Sequence, residues 1–255
     1  MTISTSAPDL QAQRESRWRA VAGEYGIASL VHTHWLDRGF RSYTGAPGTW
    51  AARNDQVVGF IRSTPDAAPQ SISLAPGDDI LVGTQRLRAI NRDGALALRV
   101  FDPDAVTRTQ LRGIHAFPWS AEWVLPGRFL PAADGENRVV RSVDGYEREE
   151  PAVGVIAVEV AGEPVQLTVS RTANGFSAVI ADATSGDDAY RFRFLPIDAP
   201  DADGQVAVDF NRAFLPPCAF SDQYVCPLPP AGNRLSVRVE AGERIPDRES
   251  VLSDT

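Results

Sequence analysis

The chain has 255 residues, 43% of them hydrophobic, with a formal net charge of −8 and a pI near 5.0. That length can bury a core without help from disulfides or a structural metal. All 25 basic residues are arginine, which removes lysine Schiff-base chemistry, and they form no basic stripe; neither nucleic acid nor a membrane surface is therefore an expected partner.

The N-terminal stretch MTISTSAPDLQAQRESRW is polar and lacks the basic-then-apolar order of a secretory leader. No apolar run reaches membrane-spanning length. A cytoplasmic location is expected, where Cys218 and Cys226 are thiols more readily than a disulfide. The same stretch opens a predicted helix. Ser6 suits a cap and Pro8 the first turn, while Leu10, Trp18, Val21, Ala22 and Tyr25 share one face. Gly23 and Gly26 end it. Packing across a sheet is the expected role, and a lid is the functional alternative.

Strand signals follow. ASLVHTHWL (28–36), QVVGFIR (56–62), ISLAP, DDILVG and LRAIN come at short intervals. Asp93-Gly94 then predicts a tight hairpin into ALALRVF. AEWVLPGRFLP (121–131) reads as extended. In VIAVEVAGEPVQLTVSR, apolar residues alternate on both sides of a turn placed at Gly162-Glu163. Asn174-Gly175 predicts another hairpin, leading into FSAVIAD. YRFRFLP (190–196), QVAVDF after Asp203-Gly204, and LSVRVEAGE complete the set. Turn signals at this spacing argue for an all-β, mainly antiparallel architecture rather than βαβ units. The expected division is an N-terminal helix (1–27), a small sandwich-like part (28–117) and a barrel-like part (118–255) that carries a proline-rich cysteine loop.

Residues 209–235 read DFNRAFLPPCAFSDQYVCPLPPAGNRL. This resembles the signature of the bacterial family known as domain of unknown function 1684: Asp-Phe-Asn-Arg-Ala-Tyr-Asn-Pro-Pro-Cys-Ala-Phe, then Cys-Pro-Leu-Pro-Pro and Asn-Arg-Leu. DATSG (182–186), HWL (34–36) and Phe117-Pro118 are similar to further pieces of it. The resemblance implies no activity. The departures are more informative. Phe214-Leu215 stand where the family has Tyr-Asn, Ala181 where it has Arg, and Arg191, Phe192 and Arg193 where it is glycine-rich. If these positions line a cavity, it is drier than in relatives; core repacking by drift is the alternative.

Several constellations could carry chemistry. Cys218 and Cys226 lack the partners of a zinc site or a positioned base, so buried structural thiols are expected. His32 and His34 form H-x-H on one strand face without an identifiable third ligand, so no metal is expected. Asp209 could pair with Arg212 or Arg234 to order the loop, or Arg212 could anchor a carboxylate or enolate oxygen with Asp209 as its orienting partner or base. DATSG, through Thr184 and backbone N–H groups, could form an anion nest or a plain polar turn. P-loop, dinucleotide, G-x-S-x-G and H-E-x-x-H motifs are absent.

Two readings follow. One is a cofactor-independent enzyme on an apolar small molecule, most concretely a cyclase or isomerase of specialised metabolism. Arg212, Tyr190, His34 and Asp209 are its expected catalytic groups, and Trp35, Trp123, Phe214, Leu215 and Thr184 its substrate contacts. The other is a non-catalytic binding or scaffold protein. A homodimer is compatible with either.

Overall fold

The computed structural model describes residues 7–62, 64 and 66–249, so Ser6, the expected cap, lies outside the described residues. Helix α1 spans Ala7–Ala22 and ends one residue before Gly23. The chain then divides into two compact units. One holds Trp18–Leu111 and Phe220–Tyr224; the other holds the segment up to Arg17, Arg112–Ala219 and the chain from Val225 onward. No helix among the described residues is long and apolar enough to cross a membrane.

Among the described residues, the first unit contains eight strands: β1 (Leu30–Trp35), β2 (Arg41–Tyr43), β3 (Ala46–Arg53), β4 (Gln56–Ile61), β5 (Gln70–Leu74), β6 (Asp79–Val82), β7 (Gln85–Arg92) and β8 (Ala95–Phe101). They form two antiparallel four-stranded sheets, ordered β1-β8-β7-β6 and β2-β3-β4-β5. The sheets share one core. Trp50, Val57, Ile61 and Leu74 come from one, and Leu87, Ala89, Leu96, Leu98 and Val100 from the other. Each set alternates along its strand, as burial of one face requires. Trp50 faces Gly59 across β3 and β4. A Cβ at Gly59 would lie 2.4 Å from the indole, so glycine makes room for the ring. Asp93 and Gly94 have φ of 51° and 91°, the doubly left-handed turn that two-residue hairpins favour. A short helix α2 (Val106–Thr109) places Arg108, whose Nε donates to the carbonyls of Ala22 and Gly23 at the end of α1.

The second unit carries β9 (Leu111–Ala116, from Arg112 on), β10 (Val124–Pro131), β11 (Asn137–Arg141), β12 (Glu147–Pro151), β13 (Gly154–Val160), β14 (Glu163–Thr168), β15 (Ser170–Thr172), β16 (Gly175–Ile180), β17 (Arg193–Asp198), β18 (Gln205–Asp209) and β19 (Glu243–Arg248). Their sheets are β14-β13-β10-β18, β15-β16-β17, and the pairs β11-β12 and β19-β9. Ile156, Val158, Leu167 and Val208 of the first pack with Phe176, Ile180, Leu195 and Ile197 of the second. The fold is therefore all-β and mainly antiparallel. Among the described residues these sheets stay open and no closed barrel forms.

Several local expectations shift. The β13–β14 turn is Ala161-Gly162, with φ of 51° and 85°, and not Gly162-Glu163. Thr172 pairs with Gly175, so Ala173-Asn174 form the next turn. Residues 190–192 precede β17, and Phe210 leaves β18 for a 3-10 turn, Phe210–Arg212. LSVRVEAGE is not a strand; the closing strand is β19. Its backbone is spent elsewhere. Val239 and Ala241 carbonyls accept from Arg193, Val237 O accepts from Ala183 N, and Val239 N donates to Asp182.

Candidate functional site

The residues expected to form a site fall in both units. His34 and Trp35 belong to the first unit; the rest belong to the second. His34 Nε2 lies 2.8 Å from the Thr44 carbonyl, and its ring stacks on His32 at 5.1 Å. Burial holds the His34 imidazole below its usual pKa. Trp35 receives the Arg92 guanidinium over its face at 4.2 Å.

In the second unit, Asp209 caps the Phe210–Arg212 turn. Its Oδ1 accepts from Asn211 N at 3.0 Å and Asn211 Nδ2 at 2.9 Å. Asp209 thus pairs with neither Arg212 nor Arg234. Arg212 instead donates to Asp198 at 2.9 Å. Among the described residues, Asp209 Oδ2 and Arg212 Nε are buried without a hydrogen-bond partner. Arg212 and Phe214 do share a small cavity of about 170 Å³ with Leu10, Arg17, Pro196 and Glu243. Leu215 is fully buried beside it, and its N–H donates to Glu243 at 2.7 Å. Trp123 packs edge-on against Phe210 at 6.1 Å in the core.

Thr184 is fully buried and serves the turn: its N–H and hydroxyl both donate to Asp182 Oδ1, at 2.8 and 2.7 Å. Asp182 Oδ2 accepts from the fully buried Arg193 at 2.5 Å. DATSG is therefore a polar turn organised around a buried ion pair. Tyr190 donates its hydroxyl to the Cys218 carbonyl at 3.0 Å and lies 3.7 Å from the Cys218 sulfur. Burial, with Cys218 beside it, pushes the Tyr190 phenol up to about 12. Cys218 and Cys226 are both buried thiols, and Cys218 N donates to Cys226 Sγ at 3.4 Å.

A groove roomier than the cavity at Phe214 lies elsewhere in the same unit. The β11–β12 hairpin, half-buried residues of β15 and β16 and loop residues 227–230 line this groove of about 510 Å³. Arg138, Arg141, Arg148 and Arg234 line it, with Glu147 and Glu150. Cross-strand register sets the pairs, because Arg138 faces Glu150 and Arg141 faces Glu147. Glu150 accepts from Arg138 Nε at 3.0 Å and from Arg148 at 3.0 Å, and Arg138 also reaches Ser170 at 2.5 Å. Burial opposes ionisation of Glu150, but the hydrogen bonds from Arg138 and Arg148 outweigh it and hold the carboxyl below its ordinary range. Arg234 is exposed and makes no ion pair among the described residues. Its neighbour Asn233 is fully buried. It donates to Thr168 O and Val179 O at 2.9 Å each and accepts from Thr168 N at 2.7 Å, so it sets the groove wall.

None of the hairpin arginines stood out in the sequence. The available signals were Asp144-Gly145 as a turn and the opposed charges of NRVVR and EREEP on either side.

The groove, the cysteine loop and the Asp182–Arg193 pair all fall within residues 109–244, which match the model of a family described as protein of unknown function, DUF1684. The match spans just over half of the chain. The chain belongs to the DUF1684 family. The DUF1684 match takes in most of the second unit and little of the first. Among solved structures, an uncharacterized protein of Haloarcula marismortui determined by solution NMR is similar, with 27% identity over 54% of this chain and 78% of its own, at a TM-score of 0.44. No curated protein matches.

Proposed function

We propose that this DUF1684 protein binds a small anionic molecule with an apolar portion in the groove between the β11–β12 hairpin and loop residues 227–230. The carrying observation is charge. Four arginines and two glutamates line the groove, while the chain as a whole is at −8. A local cationic surplus on an acidic protein attracts anions selectively. Glu150 holds Arg138 and Arg148 in place, which leaves Arg234 to meet a carboxylate or phosphate. Thr168, Ser170 and Ser177 offer hydroxyls; Val139, Val140, Leu228 and the prolines offer apolar contact. The volume of about 510 Å³ falls in the usual range for small-molecule sites, about 300–1,000 Å³. Its carboxylates are already engaged by arginine and its lining has no histidine or cysteine, which supports binding rather than turnover.

A cofactor-free cyclase or isomerase is the second reading. It is favoured by Arg212, which lines the cavity at Phe214 and whose Nε is buried without a hydrogen-bond partner among the described residues. At about 170 Å³ that cavity takes only a very small substrate.

Native mass spectrometry of protein purified from its own host separates the two. A co-purifying anion lost in Arg234→Gln, with affinity down about 10- to 100-fold as for a charge-assisted hydrogen bond, and retained in Arg212→Gln supports the groove. Retention in Arg234→Gln with loss in Arg212→Gln transfers the site to the smaller cavity. The absence of any anionic ligand ends the first reading.

A further inference from the structure

We propose that Cys218 and Cys226 are a reversible dithiol–disulfide pair, closed by a small peroxide. They are the chain's two cysteines, so no other thiol competes within the molecule. Both are buried, at 4% and 5% exposure. The Cys218 N–H reaches Cys226 Sγ at 3.4 Å, and the Tyr190 hydroxyl lies 3.7 Å from Cys218 Sγ. The first contact puts Cys226 Sγ within about 5 Å of Cys218 Cα, given an N–Cα bond of about 1.46 Å. Rotation about the side-chain bonds is then enough to bring sulfur to sulfur.

The surroundings assign the two sulfurs different roles. Cys218 sits in the 3-10 turn Pro217–Ala219, 3.7 Å from the hydroxyl of Tyr190, and the Arg191 that follows Tyr190 in the chain adds positive charge toward the sulfur. Donors around a sulfur favour its thiolate, the nucleophilic form. The same contacts, led by the hydrogen bond from Cys226, lower the Cys218 thiol to about 7. Tyr190 keeps its proton, so it remains a donor. Cys226 is held by its backbone, with its carbonyl accepting from Val143 N at 2.9 Å. Of the residues between them, Phe220–Tyr224 belong to the first unit, while Ala219 and Val225 stay with the cysteines in the second. Burial admits peroxide more readily than a bulky disulfide reagent.

The chemistry balances. The Cys218 thiolate attacks one peroxide oxygen, the O–O bond breaks, and hydroxide leaves to be protonated to water. The resulting sulfenic acid is attacked by the Cys226 sulfur, which gives up its proton. The S–S bond forms, the S–O bond breaks and a second water leaves. Two thiols lose two electrons, and the peroxide is reduced to two waters. An external dithiol reverses the bond.

Intact mass of the full chain after stoichiometric hydrogen peroxide and denaturing alkylation tests this. The expected result is loss of two hydrogens, no alkylation at either cysteine, monomeric product, and full recovery with dithiothreitol. In Cys226→Ser, peroxide should stop at a dimedone-reactive sulfenic acid on Cys218. In Cys218→Ser, oxidation should slow roughly tenfold or more. Continued alkylation of both thiols in peroxide-treated wild type overturns the proposal, as do an intermolecular disulfide or sulfinic acid as main product. The wild-type measurement decides even if a serine variant fails to fold.

Discussion

Arg193 carries the highest stakes of any single side chain here. It is fully buried, pairs with Asp182 at 2.5 Å, and donates to three main-chain carbonyls, those of Val239, Ala241 and Glu243. Removing one partner of such a pair strands the other charge out of water. Arg193→Met should therefore cost about 3–5 kcal/mol, read from the urea midpoint at constant m-value. Glu243 poses the opposite case. It is buried, accepts from Leu215 N at 2.7 Å and lies 3.4 Å from Arg17. Burial raises its pKa, and Arg17 offsets this only in part. A carboxyl with a raised folded pKa contributes stability that is complete below its unfolded value and is lost as pH rises through the folded value. Wild type should accordingly gain stability relative to Glu243→Gln as pH falls from neutral toward about 4.5, near the unfolded value for Glu. Chemical denaturation of both proteins at the two pH values checks this; equal pH dependence would show that the carboxyl is not the cause. Neither residue was distinguishable from its neighbours in the sequence, because charge alone does not report burial.

At the level of elements, alternation and turn chemistry were legible and partnership was not. Asp93-Gly94 announced its hairpin because a doubly positive φ narrows the choice of residues. GVIAVEV announced β13 because one of its faces is buried. The β11–β12 hairpin went unread. Its residues alternate between partly buried and exposed, with no fully buried position, so it lacks an apolar stripe. LSVRVEAGE erred the other way. It alternates like a strand, but its carbonyls are claimed by Arg193, which no local pattern reveals. Asn233 does a strand's work from a loop by bonding both Thr168 and Val179. Asn233→Ala should leave three main-chain groups without these partners and cost roughly 1–3 kcal/mol. Thermal unfolding of the variant measures it, and hydrogen exchange at Thr168 should rise. An unchanged Thr168 exchange rate would mean that the loop merely rests against the sheet.

On the scale of the whole molecule, the chain leaves one unit, contributes Phe220–Tyr224 to the other and returns. That short visit covers a sheet edge. β1 is an outer strand, and Gln223 Oε1 accepts from Thr33 N at 2.9 Å while Ser221 donates to Leu30 O at 2.7 Å. Uncovered edges invite pairing between chains. A fragment of residues 18–111 should therefore self-associate, as judged by size-exclusion chromatography. Fusing residues 220–224 through a flexible linker should restore the monomer; a monomeric bare fragment would show the edge to be protected in another way. The DUF1684 match lies mainly in the other unit, where the arginine groove and the cysteine pair are found.

The sequence by itself determined the fold class, most strand positions, the tight turns and the family, because side-chain alternation, permitted φ values and a long contiguous motif are local properties. Tertiary structure alone decided which charges meet. Arg212 went to Asp198 instead of Asp209, Asp182 to Arg193, and Glu150 to two arginines of one hairpin. It also assembled a groove that no segment suggests. The physical reason is that ion pairing and cavity shape depend on strand register and loop return across tens of residues. A sequence lists charges in order, and only folding sets their distances.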